Sequence, residues 1–401
     1  MYLKQYALMI LSCITLFILE GCTNKDFEGI AHIPTEYQKI DFSLDSIASD
    51  LFVIPLSASI PIPYSYFVES EDSCLYYRHP PSGKIFKINF NGKLINILDK
   101  NGRGPEEYLG LGDFYVDTTL NIHISNNYNG ILIYDRNYTY LSKTMYPHKR
   151  NSRIEVRWLD NRIHLFYFNL TDSGNSWFLI DSDGTVLDSR VSIDKYKLPV
   201  RTDDIHIFSN HKKLYRYYNK NDTIYEIDNQ GIKPFRVLNR KYKDGFDLLK
   251  KNTLDKLPLL ISEPHRVIIN IFGIGDYWII KTAKIHRENE YREQETILYS
   301  LEENLCYLIN SDIVKEGTMT NRGILNDWIG YGSFNPRSAM EVHGDKYLIW
   351  TMTAIEFISY VQSEGFVKSI PTRPGLKQKM ISIADTLNID DNPILMLLKL
   401  K

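Results

Sequence analysis

Cysteine is scarce in this chain, with four residues among 401. Cys13 falls inside an N-terminal apolar run and Cys22 directly behind it, so Cys74 and Cys306 are the pair left for a folded domain. Two thiols so far apart could pair, which spacing does not show, but they make no disulfide framework, and the absence of CxxC or CxxC…H spacing argues against a structural zinc site. Charge of one sign is lacking too: the formal net charge is -2. Nucleic acid or a polybasic membrane contact would need a basic excess, so neither is expected as a partner. The apolar run Ala7 to Leu19 has 13 residues, short of the about 18 that a membrane-spanning helix requires. HExxH, GxSxG and the phosphate-binding GxxxxGK[ST] are all absent, which removes the readiest routes to a metalloprotease, a serine hydrolase or a nucleotide enzyme.

Lys4, the short apolar run and Leu19-Glu20-Gly21-Cys22 together have the form of an export signal. A small residue before a cysteine at this point resembles the lipobox of bacterial lipoproteins, although Glu20 stands where a small or apolar residue is usual. The resemblance implies cleavage before Cys22 and a lipid on Cys22; the alternative is an ordinary secretory signal with a chance cysteine. Residues 1–21 then form the signal peptide and residues 22–40 a polar tether to the membrane. The acidic Asp26 and Glu28 close behind Cys22 resemble surface-export signals of Bacteroidetes lipoproteins. The expected location is the cell envelope, lipid-anchored at the outer membrane and facing either periplasm or surface.

Aromatics are abundant where other residues are not: 28 Tyr and 18 Phe. Tyrosine at this level suits pleated, half-buried surfaces and favours β structure. The stretches "GKIFKINFNGKLI", "GILIYDRNYTYL", "SWFLIDSDGTVL" and "DTIYEIDNQGIKPF" each read as an alternating strand, a turn at Asn or Asp, and a second strand. Their anchors Asn89, Asp135, Asp181 and Asp228 recur at intervals of 46, 46 and 47 residues. A period in the forties with several short strands per unit predicts a β-propeller. Upstream strands "CLYY", "LNIHI", "RIHLFYF" and "KLYRYY" complete a meander in each unit.

Beyond Asp228 the period loosens, and the next comparable position, Ser300, lies 72 residues on. Apolar residues at helical spacing in "FDLLKKNTLDKL" predict a small helical insertion over about 242–265. Residues 346–361 read as a last unit, and Asn388–Lys401 as a closing strand that pairs near Phe52–Pro55. Residues 41–401 thus form one all-β domain, a six-bladed β-propeller with seven blades as the alternative.

Between the first two units lies "GRGPEEY". A phosphate cradle needs its glycines to lead into a helix N-terminus. Here Gly102 and Gly104 lead to Pro105 and the acids Glu106 and Glu107 between two strands. The loop is therefore a turn in which Gly102 and Gly104 serve backbone conformation, Pro105 fixes the bend and Tyr108 follows, and no nucleotide is expected. With the lipobox, the repeat and the closing "DDNPILMLLKLK", this loop resembles those of the six-bladed β-propeller lipoproteins of Bacteroides and relatives. That family implies a fold related to NHL and YWTD propellers and no established activity, so no catalytic residue is assigned.

Histidines on strands are the remaining chemical candidates. His123 and His164 occupy comparable repeat positions and could line a central channel; His206 lies in a similar "IHI" fragment. Two histidines are too few for a protein-held metal, so no metal residue is named and no cofactor is expected, calcium in the channel being the ion kept in view. Two function classes stand. One is a non-enzymatic binding or scaffold propeller for a glycan, peptide or partner protein. The other is a propeller enzyme (lactonase, lyase or glycan-cleaving) with a channel metal; fold alone does not choose between them. One test follows directly: Cys22→Ala should move the protein from the membrane fraction to the soluble fraction, and unchanged partitioning with an unmodified protein mass would overturn lipidation.

Overall fold

Four-stranded antiparallel meanders are the unit of this all-β fold. The computed structural model describes residues 31–33, 37–40, 42–57, 61–62, 68–71, 74–117, 119–126, 130–146, 152–159, 162–169, 176–191, 205–210, 213–218, 223–228, 231–238, 265–285, 292–309, 323–342 and 344–401. The first sheet holds Val68–Glu71, Cys74–His79, Lys84–Asn89 and Leu94–Asp99. Leu111–Val116, Ile122–Asn126, Gly130–Tyr134 and Tyr140–Met145 make the second. In the third are Ser152–Leu159, Arg162–Asn169, Ser176–Ile180 and Val186–Val191. The fourth has Ile205–Asn210, Lys213–Tyr218, Thr223–Asp228 and Gly231–Leu238, and the fifth His265–Ile274, Tyr277–Ile285, Arg292–Ser300 and Leu305–Ile309. Ser338–Val342, Asp345–Met352 and Ile394–Leu400 form the sixth, with Ala48–Pro55 on its outer edge.

These sheets form a β-propeller because every one of them is apolar on two faces. A hydrophobic cluster fills each junction: Tyr76 and Leu98 with Ile122 and Tyr134 between the first and second, Ile131 with Val156 and Phe178 between the second and third. Trp177 and Leu179 meet Leu214 and Ile227, and Tyr215 and Tyr217 meet Trp278 and Tyr299. Phe272 and Leu298 meet Trp350 and Met396, and Ile349 and Leu397 return to Leu75 and Phe86 of the first sheet. The first strand of each sheet is the inner one.

The last strand pairs with the segment expected of it. Ile394 lies opposite Pro55 and Leu397 opposite Phe52 in an antiparallel ladder. Chain ends so far apart in sequence are thereby fastened within one sheet.

The repeat anchors earn their regularity at the turns between third and fourth strands. Asn89 Oδ1 accepts from the amides of Asn91 and Lys93, both at 3.0 Å. Asp135 Oδ1 does the same for Asn137 and Thr139 at 2.8 Å, and Asp181 Oδ1 for Asp183 at 3.2 Å and Thr185 at 3.0 Å. Such a side chain substitutes for a backbone acceptor and so fixes the turn. Three residues after each anchor the chain turns left-handed, at Gly92 (φ 81°), Tyr138 (φ 69°) and Gly184 (φ 95°).

Two readings of the sequence are corrected. Residues 346–361 are not two paired strands: after Asp345–Met352 the chain enters helices Ala354–Gln362, Glu364–Lys368 and Pro374–Thr386 before returning as Ile394–Leu400. Thr353 explains the switch, accepting from the Glu356 amide at 3.3 Å while Glu356 Oε2 accepts from the Thr353 amide at 2.8 Å, a reciprocal cap. Ala354, Phe357 and Val361 then bury one helical face despite their β-favouring neighbours. The second correction concerns the tether. Ala31–Ile33 and Tyr37–Ile40 are strands, added in parallel to the outer edges of the fourth and fifth sheets. The helical insertion expected at 242–265 lies outside the described residues, except that His265 opens a strand. Cys74 and Cys306 are buried in separate clusters.

Gly92 is a sharp test of ring closure. A Cβ there would meet the Pro55 carbonyl oxygen at 2.2 Å, and Ser57 donates to the Gly92 carbonyl at 2.8 Å. Gly92→Ala should cost about 2 kcal/mol or more, combining left-handed strain with that contact. Gly344, also left-handed at φ 84° but with nothing near its Cβ position, supplies the control. In denaturant melts Gly344→Ala should lose only the conformational part, about 1 kcal/mol; equal losses at both positions would show that the Pro55 contact does not constrain closure.

Candidate functional site

Gly102, Gly104, Pro105, Glu106 and Tyr108 form a structural staple between the first and second sheets. Tyr108 is fully buried and its hydroxyl donates to the Gly83 carbonyl at 2.6 Å. Burial pushes that phenol up to about 12, so it stays protonated as a donor. Glu107 Oε2 accepts from the Gly104 amide at 2.7 Å. Tyr134 in turn donates to the Glu106 carbonyl at 2.7 Å. Gly102 and Gly104 are not among the positive-φ residues, which here include Gly83 and Gly110. At Gly102 a Cβ would sit 1.9 Å from Glu107 Oε2, so a side chain there would push that carboxylate aside.

His123 and His164 lie on the second strands of neighbouring sheets. His123 lies in the second strand of the second sheet, paired with Tyr115 and Ile133. His164 pairs with Arg157 and Leu179 one sheet on; its side chain, that of His206 and all of Cys22 lie outside the described residues. Among the described residues no group of three or more His, Cys, Asp or Glu is gathered as a metal would need.

What gathers around His123 was not visible from spacing. The inner strand of the second sheet loses regular register between Leu111 and Phe114, and Asp113 projects from that irregularity. Its Oδ1 accepts from Arg78 of the first sheet and its Oδ2 from Arg157 of the third, both at 3.0 Å. Arg78 also donates to the Gly112 carbonyl. One carboxylate thus ties three sheets together, with Arg78 buried and Arg157 partly open to solvent. Beside it, the Tyr115 and Trp158 rings stack with centroids 5.4 Å apart and planes 17° from parallel. His123 packs 4.1 Å from the Trp158 ring.

His123 Nε2 bonds to Asp117 Oδ2 at 2.8 Å, and the buried Nδ1 has no hydrogen-bond partner. With a carboxylate at Nε2, the proton resides there and Nδ1 carries a bare lone pair. Burial lowers the histidine pKa, with Asp117 opposing the shift. Burial alone would raise the Asp117 carboxyl, yet bonds from His123, Thr119 and Asn121 hold it below its usual range. A neutral histidine facing a carboxylate is the resting state.

A second perturbed group lies across the ring. Lys281, on the second strand of the fifth sheet, donates to Asn335 Oδ1. Burial, with Arg337 adding repulsion, brings its ammonium pKa down to about 7. An amine so placed is half neutral near neutral pH and able to act as a base or nucleophile.

A family described as a domain of unknown function (DUF4934) matches residues 36–399. The chain belongs to that family. Among solved structures, it is similar to a Bacteroides fragilis protein assigned as exported, with 17% identity and a TM-score of 0.62, covering 91% of this chain and 98% of that one. A member of the DUF4221 family from Bacteroides vulgatus shares 11% identity at a TM-score of 0.52, covering 88% and 96%. Likeness at such identities shows the propeller fold alone. No curated protein matches the chain. Among the described residues no helix is long and apolar enough to cross a membrane.

The buried histidine sets a pH dependence. Its folded pKa lies below the ordinary 6.5, so as pH falls below about 6.5 the unfolded chain takes a proton that the folded chain refuses, and stability drops. The drop ends at the folded pKa. Comparing melting temperatures at about pH 7.5 and about pH 5, the advantage of wild type over His123→Gln should shrink on acidification. An advantage that grows instead would mean a charged histidine in the folded state.

Proposed function

We propose that this protein is a six-bladed propeller, lipid-anchored through Cys22 at the outer membrane, that serves as a non-enzymatic binding or scaffold module for a glycan, peptide or partner protein. Among the described residues, six sheets of four or five strands with six filled junctions support the blade count. The exported Bacteroides neighbour supports an extracytoplasmic location.

The stacked Tyr115–Trp158 pair beside Arg157 and Asp113 carries the binding reading. A flat, half-buried aromatic surface next to a guanidinium and a carboxylate suits a sugar ring or a peptide side chain, offering apolar contact and directed hydrogen bonds together. Anchoring would also orient the ring. Cys22 precedes Ala31 by nine positions, and an extended chain covers at most about 3.3–3.6 Å per residue, so the outer edge of the fourth sheet would stay within about 30 Å of the lipid.

Lys281 supports a second reading, a propeller enzyme of the lactonase, lyase or glycan-cleaving kind, with calcium as the metal to test. Glycan and peptide arrays followed by calorimetry should yield a ligand whose affinity falls about tenfold or more in both Trp158→Ala and Arg157→Gln. The second variant should stay folded and lose only the modest stability of a part-exposed ion pair, since Asp113 keeps Arg78. Affinity unchanged in both variants would remove this surface as the site. Turnover of lactones or glycosides, with or without added calcium and abolished by Lys281→Met, would put the enzyme reading in its place.

A further inference from the structure

One position on the second strand carries a cation in two of the sheets, and the two cations are met differently. Cys74 lies opposite the anchor Asn89, and Tyr277 opposite Ser300. Arg78 and Lys281, each four residues further along, therefore correspond. Both reach toward the start of the next sheet's inner strand. Arg78 finds a carboxylate there, Asp113 Oδ1 at 3.0 Å, together with the Gly112 carbonyl. Lys281 finds the neutral amide of Asn335, just ahead of strand Ser338–Val342.

Among the described residues, Asn335 is the sole side-chain hydrogen-bond partner of Lys281, and no carboxylate pairs with it. A second cation is set beside it instead. Asn270, opposite Lys281 in the ladder, donates to the Arg337 carbonyl at 2.8 Å. The Arg337 amide donates in turn to the Ile349 carbonyl at 2.7 Å. These bonds fix Arg337 at the joint of the fifth and sixth sheets, where its charge repels that of Lys281. The ladder loses regular register between Ile268 and Asn270, and a bulge of this kind re-aims the side chain next to it. An ammonium only donates, so Asn335 gives it Oδ1 and keeps Nδ2 as a donor. Lys281 is half-buried and Arg337 exposed, which leaves this all-donor group open to a ligand. Like charges held together in a partly dry place are relieved by an anion between them.

We propose that Lys281, Asn335 and Arg337 bind the carboxylate of a small-molecule ligand, which takes between the fifth and sixth sheets the place that Asp113 holds between the first and second. A carboxylate suits two cations because it has an oxygen for each, as Asp113 gives Oδ1 to Arg78 and Oδ2 to Arg157. The donors stand at the margin of an apolar cluster that includes Phe272, Ile279 and Phe334, close neighbours in sequence of Asn270, Lys281 and Asn335. Charges at such a margin are less screened than on an open surface, so the pairing is stronger there. A bound carboxylate keeps Lys281 as the ammonium. The site therefore asks for no chemistry from the amine, and it is independent of the Tyr115–Trp158 surface across the ring.

The purified protein is titrated with sodium acetate, sodium glutamate and sodium glucuronate against sodium chloride at matched ionic strength, and its melting temperature is followed. At least one carboxylate should raise the melting temperature saturably above the chloride reference. Arg337→Gln and Lys281→Gln should each weaken that binding by about tenfold or more, while Arg136→Gln, exposed on the second sheet, should leave it unchanged. Asn335→Asp supplies the acid from the chain itself. It should raise the melting temperature in chloride alone and abolish the response to added carboxylate. Arg337 is exposed and Asn335→Asp keeps the side-chain shape, so these two variants decide the matter even if Lys281→Gln fails to fold. The proposal is overturned if no carboxylate exceeds chloride, if sodium sulfate matches the best carboxylate, if Arg337→Gln binds as wild type does, or if Asn335→Asp lowers the melting temperature.

Discussion

Each of the six larger sheets among the described residues has two apolar faces, and that single constraint dictates the rest. A sheet covered on one side leaves its other face in water, where each buried large apolar side chain forgoes about 1.5–3 kcal/mol. Stacking a second sheet moves the problem along by one unit; only a ring removes it. The cost of a ring is that its ends must meet, and here Ala48–Pro55 and Ile394–Leu400 are fastened by a seven-residue antiparallel ladder. Closure through a backbone ladder has a further effect. It makes the first and last sheets interdependent, since Ile54 and Leu56 from the chain's start pack with Leu395 and Leu397 from its end against Leu75 and Phe86.

The legible part of this fold was its turn chemistry. Asn89, Asp135 and Asp181 could be aligned because each does the same local work, accepting from amides two and four residues on. Local hydrogen bonds of this sort leave a mark in sequence because they demand a particular residue at a particular offset. Asp228 kept the spacing while using other means, a tight hairpin to Gly231 and an ion pair with Lys233 at 3.0 Å. The closing strand was legible for a similar reason: an apolar run bounded by Asn-Pro at the end of a repeat has one unpaired edge to join.

Other parts left no such mark. Helix Ala354–Gln362 is rich in Ile, Phe, Tyr and Val as a strand would be, and the cap between Thr353 and Glu356 together with the burial of Ala354, Phe357 and Val361 on one face overrides that preference. The cluster around Asp113 is built from residues 35 and 44 positions apart in sequence, brought together by the stacking of sheets. Nothing in the neighbourhood of Arg78 or Arg157 distinguishes them from solvated arginines. Trp158 and Tyr115 read as strand aromatics, which they also are. Of the proposed site, His123 alone was singled out from the sequence, as a channel candidate together with His164, whose side chain lies outside the described residues.

The Gly-Arg-Gly-Pro-Glu-Glu-Tyr loop shows why a conspicuous motif need not mark a site of chemistry. Its tyrosine is wholly buried with its hydroxyl on the Gly83 carbonyl, and its Glu107 carboxylate is bound to the Gly104 amide. The buried phenol needs its acceptor, and a Cβ at Gly102 would displace the Glu107 carboxylate. Demands of that kind serve the joint between two sheets and contribute equally to any protein built on this ring. A ligand, by contrast, must be met by groups left partly open, and those are the Arg157 guanidinium and the Tyr115–Trp158 rings. Architecture and recognition are therefore divided between different residues of neighbouring sheets, so membership of a propeller family specifies the first and leaves the second to side chains that the fold does not constrain.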